Sequence, residues 1–141
     1  MKPLIRGRGV LMAAQSKIRV LLVDDHLMFR ETMRSLLSCY SDLEVVGEAS
    51  DGQEAVESVG QLQPAVVLMD INLRKMDGIT AARLITSQYP HVAILGLTFD
   101  TRDYFVYAME KAGALEVLTK GQSGDEVYGA IKRSVASMSD G

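Results

Sequence analysis

Five short apolar runs punctuate the chain from Ile18 onward: "IRVLLV", "LEVVGEA", "AVVLMD", "VAILGLT" and "LEVLTK". Each is followed by a longer stretch whose apolar residues recur at helical spacing, so strand and helix textures alternate. After the first run, Phe29, Met33, Leu36, Leu37 and Tyr40 form one apolar face. After the second, Asp51 and Glu54 have capping-box spacing, Ala55, Val59 and Leu62 share a side, and Pro64 stops the helix. The third helix is expected over about 79–89, before Pro90. The fourth turns Phe105, Ala108, Met109 and Ala112 inward and stops at Gly113. The fifth opens on a second capping box, Ser123 with Glu126, and buries Val127, Ala130 and Ile131.

Strands that are apolar on both faces fit the middle of a parallel sheet covered by helices. Right-handed crossovers then place helices on both sides, which predicts an α/β fold with a five-stranded, doubly wound parallel sheet. The domain is expected over residues 17–135. Residues 136–141, small and polar, read as a tail or the start of a linker. Residues 1–16 read as a flexible extension, with Met12 as an alternative start. The apolar piece between Lys2, Arg6, Arg8 and Lys17 is too short for a signal-peptide core or a membrane helix. No later stretch approaches a membrane span, so a soluble, cytoplasmic protein is expected.

Composition narrows the classes. A chain of 141 residues suits one domain with a real core, and 48% apolar with 23% charged residues is globular, not disordered. A net charge of −3 gives no electrostatic case for DNA binding by this chain itself. Lys132 and Arg133 read as a solvated helix face. The single cysteine, Cys39, excludes an internal disulfide framework and fits a reducing compartment. Its helical position reads as a small core hydrophobe.

The chemistry lies at the strand ends. In open parallel sheets functional groups gather beyond the C-terminal ends of the strands. Strand one ends in Asp24 and Asp25, strand three in Asp70, strand four in Thr98 and strand five in Lys120. Three carboxylates brought together repel, so one holds a proton or a cation sits among them. Oxygen ligands without a Cys or His cluster suit a hard ion, most simply Mg²⁺. A carboxylate beside such an ion can accept a phosphoryl group as an aspartyl-phosphate, with Thr98 and Lys120 on the phosphoryl oxygens. His26, beside the acids, reads as a solvated histidine at a helix start. Asp77 and Gly78 read as a loop and helix start.

Taken together, "VLLVDDH", "GEASDGQEAV", "VVLMDINLRKMDG", "LGLT" and "KAGALEVLTK" resemble the receiver domain of two-component response regulators, from about residue 18 to 133. The texture is most similar to receivers that precede a LuxR/NarL/FixJ-type helix-turn-helix domain. The resemblance implies a CheY-like fold with strand order 2-1-3-4-5. It implies Asp70 as phosphoacceptor, Thr98 as switch hydroxyl and Lys120 as the phosphoryl contact. Asp24, Asp25, Asp70 and the backbone carbonyl of Asn72 would hold Mg²⁺. The phosphoryl group would come from a sensor histidine kinase or a histidine phosphotransfer protein. No separate substrate turnover is implied, so the chain is not expected to be a metabolic enzyme. The output would be transcription, through a DNA-binding domain of a longer parent protein or with this chain as a stand-alone receiver.

Tyr104, Tyr107 and Lys111 fall on the outward face of helix four. With Val117 and Tyr128 they mark an expected interaction surface, where a homodimer would use helix four, strand five and helix five. Three positions depart from the family pattern. Arg74 replaces a proline, Phe99 replaces a small residue after Thr98, and Val117 replaces the aromatic three residues before the lysine. They bear on switching and leave the acid–Thr–Lys set complete. The alternative is a pseudo-receiver that docks partners without phosphorylation. A flavodoxin-like cofactor protein or small hydrolase lacks its glycine-rich phosphate loop or nucleophile–histidine pair.

Overall fold

The structure, a computed structural model, describes residues 16–100 and 102–140. The expected N-terminal extension, Met12 included, lies outside the described residues except for Ser16. Strands β1 (Ile18–Val23), β2 (Leu43–Ala49), β3 (Val66–Asp70), β4 (Ala93–Thr98) and β5 (Glu116–Thr119) alternate with helices α1 (Leu27–Leu37), α2 (Gly52–Leu62), α3 (Gly78–Gln88), α4 (Asp103–Lys111) and α5 (Gly124–Asp140). The strands pair in parallel in the order β2-β1-β3-β4-β5, as the resemblance implies.

The two-residue period of a strand divides the core in two. Leu21, Val23, Val67, Met69 and Ile94 face α2, α3 and α4, where Val59, Ile85 and Met109 cover them. Val20, Leu22, Val66, Leu68, Leu95 and Leu118 face α1 and α5, under Met33, Leu37, Val127 and Ile131. β3 and β4 are buried along their whole length, which explains their unbroken apolar runs. The edge strands are more polar. β1 and β2 slip register between Val20 and Leu21, and β2 carries Glu48, whose carboxylate takes Arg30 Nε at 2.8 Å and Arg34 Nε at 2.6 Å. On the other edge Glu116 of β5 is clasped by Arg133 of α5 at 2.9 Å.

The second capping box forms in full, with Ser123 and Glu126 exchanging bonds at 3.2 and 2.9 Å. In the first, Asp51 accepts the Glu54 amide at 2.8 Å, but the Glu54 carboxylate reaches back to the Ser50 amide at 2.7 Å. Gly113, with φ of +123°, closes α4 where a Cβ would lie 2.0 Å from Thr86 Oγ1.

Three expectations are corrected. Cys39 is exposed, not a core hydrophobe. α1 ends at Leu37 and the Cys39 amide turns back to the Leu36 carbonyl, so the helical phase that placed Cys39 inward does not reach it. Phe29, Met33 and Leu37 of the expected α1 face meet the core, and Tyr40 packs on it from just past the helix end, while Leu36 stays 38% exposed. The small, polar stretch read as a tail from residue 136 continues α5 to Asp140. Ile131, Ser134, Val135 and Met138 recur at helical spacing and rest on the α1/α5 core, which holds the last turns in place.

Leu95, fully buried on β4, reports the worth of this packing. Leu95→Ala should lower unfolding free energy by about 3 kcal/mol, whereas Leu36→Ala should change it by less than about 0.5 kcal/mol; urea titration of both variants checks the contrast.

Candidate functional site

Strand parity builds the site. Leu22, Leu68 and Leu118 all lie in the α1/α5 core, and each stands two residues before Asp24, Asp70 and Lys120. A strand that continues its alternation sends all three polar side chains past the same core, over the same rim. There they meet: Lys120 Nζ lies 2.5 Å from Asp24 Oδ2 and 3.2 Å from Asp70 Oδ2. All three residues are buried. Asp25, next in the chain, is half-buried beside them, and its Oδ2 takes Arg74 Nε at 3.4 Å. Gly78 permits the close packing behind the site, because a Cβ there would fall 2.1 Å from the Asp70 carbonyl oxygen.

Negative charge is in excess. Burial and the neighbouring Asp24 carboxylate push the Asp70 pKa up, against the opposing pull of Lys120 and of the Asn72 amide. That amide donates to Asp70 Oδ1 at 3.1 Å. Asp70 Oδ2, Asp24 Oδ2 and Asp25 Oδ1 are buried without a hydrogen-bond partner among the described residues. Lys120 is the cation that Asp24 and Asp70 share, and its attraction opposes the rise of the Asp70 pKa. Orphaned carboxylate oxygens within reach of one another fit a hard divalent cation, and Asp24, Asp25 and Asp70 could hold one.

Several partners were hidden from the sequence. His26, expected to be solvated at a helix start, stands at the N-cap position of α1 and is exposed, but its Nδ1 also lies 2.9 Å from Asp24 Oδ1 and 3.2 Å from Asp25 Oδ1. Arg30 holds the Asp24 carbonyl while pairing Glu48. Phe29 and Phe99 both set ring faces toward Lys120 Nζ, at 4.7 and 5.1 Å from the ring centroids. Adjacency to "DD" was the one available signal for His26; the others are tertiary contacts. Asp77 caps α3 through the Thr80 amide at 2.8 Å, as expected.

Thr98 is buried at the end of β4, but its hydroxyl donates to the Asp100 carbonyl at 3.0 Å and accepts from the Asp100 amide at 2.9 Å. It is committed to its own loop. Of the expected interaction surface, Tyr104 and Tyr107 are exposed and Lys111 Nζ covers the Tyr107 ring at 5.9 Å. Val117 does not join them: it packs on the core beside Gly96 and Met109. Tyr128 stacks on Tyr40 with centroids 4.1 Å apart and donates to Asp42 at 2.7 Å, which ties α5 to the end of α1. Lys132 and Arg133 are exposed and each is paired, with Asp42 and Glu116.

Residues 20–132 match the family described as the response regulator receiver domain. The chain is 36% identical over 118 residues to the transcriptional regulatory protein DegU of Brevibacillus brevis, covering 84% of this chain and 50% of that protein. It is 43% identical over 115 residues to the transcriptional regulatory protein LiaR of Bacillus subtilis, covering 82% and 54%. The chain thus spans about half the length of the curated relatives it matches. Among solved structures, the signal receiver domain of the putative response regulator NarL from Mycobacterium tuberculosis superposes with a TM-score of 0.83 at 31% identity, over 86% of this chain and 98% of that one.

The charge excess has a measurable sign. An acid whose folded pKa is raised is held protonated longer in the folded state, so it destabilises folding increasingly as pH rises above the unfolded value and fully above the folded one. Asp70→Asn should therefore raise Tm at pH 7 while Lys120 keeps Asp24 as its partner, and the gain should shrink as pH falls through the raised pKa of Asp70 and be gone below the ordinary carboxylate range. Melting curves of both proteins from pH 3 to 8 measure it; an equal or lower Tm for the variant at pH 7 would contradict the repulsion.

Proposed function

This chain belongs to the response regulator receiver domain family, and we propose that it accepts a phosphoryl group on Asp70 from a histidine kinase or histidine phosphotransfer protein and switches conformation to control transcription. Receiver domains interact with histidine kinases and bind Mg²⁺ in general. The observation that carries the reading is the state of the Asp70 carboxylate. Oδ1 is fixed by the Asn72 amide at 3.1 Å, whereas buried Oδ2 faces the Lys120 ammonium at 3.2 Å.

In this reading Asp70 Oδ2 attacks the phosphorus of phosphohistidine, the P–N bond breaks, and the imidazole leaves with the electron pair and takes a proton. Lys120 pairs with a phosphoryl oxygen. Thr98 releases Asp100 and turns its hydroxyl to another. Asp24, Asp25, Asp70 and the Asn72 carbonyl would hold Mg²⁺, which would supply neutralising charge. Full-length regulation of DNA would belong to a longer protein of the kind the relatives represent. The reading carries with it a cytoplasmic location; no described helix is long and apolar enough to cross a membrane. Tyr104 and Tyr107 offer the exposed anchors for a partner or for a homodimer through α4, β5 and α5.

Acetyl phosphate with MgCl₂ should add one base-labile phosphoryl group by intact mass. Asp70→Asn and EDTA should each abolish the increase, and full labelling of the variant would move the acceptor elsewhere. The switch should be muted. Val117 is a short β-branched side chain packed on the α2/α3/α4 core, without the ring that would sweep between core and surface. A phosphoryl group shifts an equilibrium only by its differential affinity for the two states. Beryllofluoride should therefore move amide NMR signals strongly around Asp70 and Thr98 and weakly at Tyr104, Tyr107 and Tyr128; large shifts throughout α4 and α5 would contradict this.

A further inference from the structure

We propose that Phe99 is a positioning residue for Lys120: its ring, together with that of Phe29, brackets the ammonium over Asp24 and Asp70 and closes it off from water. Phe99 is 74% exposed, so burial does not explain a large apolar side chain on the loop after β4. Lys120, by contrast, has a side chain only 1% exposed. Two elements that are not neighbours in sequence, α1 through Phe29 and the loop after β4 through Phe99, converge on one Nζ at 4.7 and 5.1 Å.

A lysine carries its charge on a flexible four-carbon stem with freely turning donors. The carboxylates of Asp24 and Asp70 attract Nζ at 2.5 and 3.2 Å. Ring faces add a second restraint, since a cation is drawn to the face of an aromatic ring and more strongly when it is desolvated. Phe29 is half-buried and packed on the α1/α5 core, so it forms the fixed wall. Phe99, exposed, forms the outer one.

The same outer wall has a second effect, which rests on the phosphoacceptor reading. An aspartyl-phosphate is lost when a water oxygen bonds to phosphorus and the bond from phosphorus to Asp70 Oδ breaks. The carboxylate keeps the electron pair and dihydrogen phosphate leaves with the protons of the water. A ring beside Lys120 excludes that water and prolongs the phosphorylated state.

The experiment compares Phe99→Leu, which keeps apolar bulk but has no ring face, with Phe99→Tyr, which keeps the face. In the unphosphorylated protein, NMR of Lys120 should show ε-methylene protons shifted by ring currents and slow exchange of the ammonium protons. Phe99→Leu should lose part of the shift and exchange about tenfold faster, and Phe99→Tyr should restore both. After labelling, Phe99→Leu should release phosphate several-fold faster than the parent, and Phe99→Tyr at the parent rate. Unchanged exchange in Phe99→Leu, or a Tyr variant that behaves like Leu, overturns the positioning role. A parent protein that takes no phosphoryl group on Asp70 refutes the phosphoacceptor reading instead, and the exchange measurement still decides the role of Phe99.

Discussion

Lys120 brings one positive charge to a rim that holds three carboxylates, 2.5 Å from Asp24 and 3.2 Å from Asp70. Neither removing the lysine nor adding an acid could be absorbed there, because buried charge is tolerated only when it is paired. The surrounding chain accommodates the remaining excess. His26 and Arg74 approach Asp24 and Asp25 from the solvent side, and Arg30 grips the Asp24 carbonyl from α1. The site is therefore held short of neutrality. A divalent cation is the kind of charge that could offset such an excess of carboxylate.

That state depends on a scaffold with little freedom. β3 pairs on both sides and is buried throughout, so Asp70 ends a strand that cannot shift register without turning Leu68 and Met69 to the wrong faces. β1 and β5 are fixed in the same way, by Leu22 and Leu118. The helices add their own ties: Gly78 seats the start of α3 against the Asp70 carbonyl, and Tyr128 with Tyr40 joins α5 to α1. Charge is confined to the rim because the layers beneath it admit none.

Much of this was legible in the sequence. The five apolar runs fixed the strands because a helix-covered parallel sheet leaves no polar face to interrupt them, and Asp24, Asp25, Asp70, Thr98 and Lys120 stood out as the polar residues that end those runs. The order of the strands needed the family resemblance, since alternation does not say which strands are neighbours. Cys39 and Leu36 were misplaced because helical phase was carried to the end of α1 and past it. The last turns of α5 were missed because Ala136, Ser137 and Ser139 hide the apolar pair Val135 and Met138 between them. The contacts of Phe29, Phe99 and Arg74 join residues far apart in the chain, and no local spacing announces them.

The charged edges of the sheet set how copies of this domain can meet. An unpaired strand edge is a template for adding a strand from another molecule. Here β2 is bent by its register slip against β1 and carries Glu44 and Glu48, while β5 is four residues long with Glu116 held by Arg133. Both rims thus discourage the continuous intermolecular sheet that leads to aggregation.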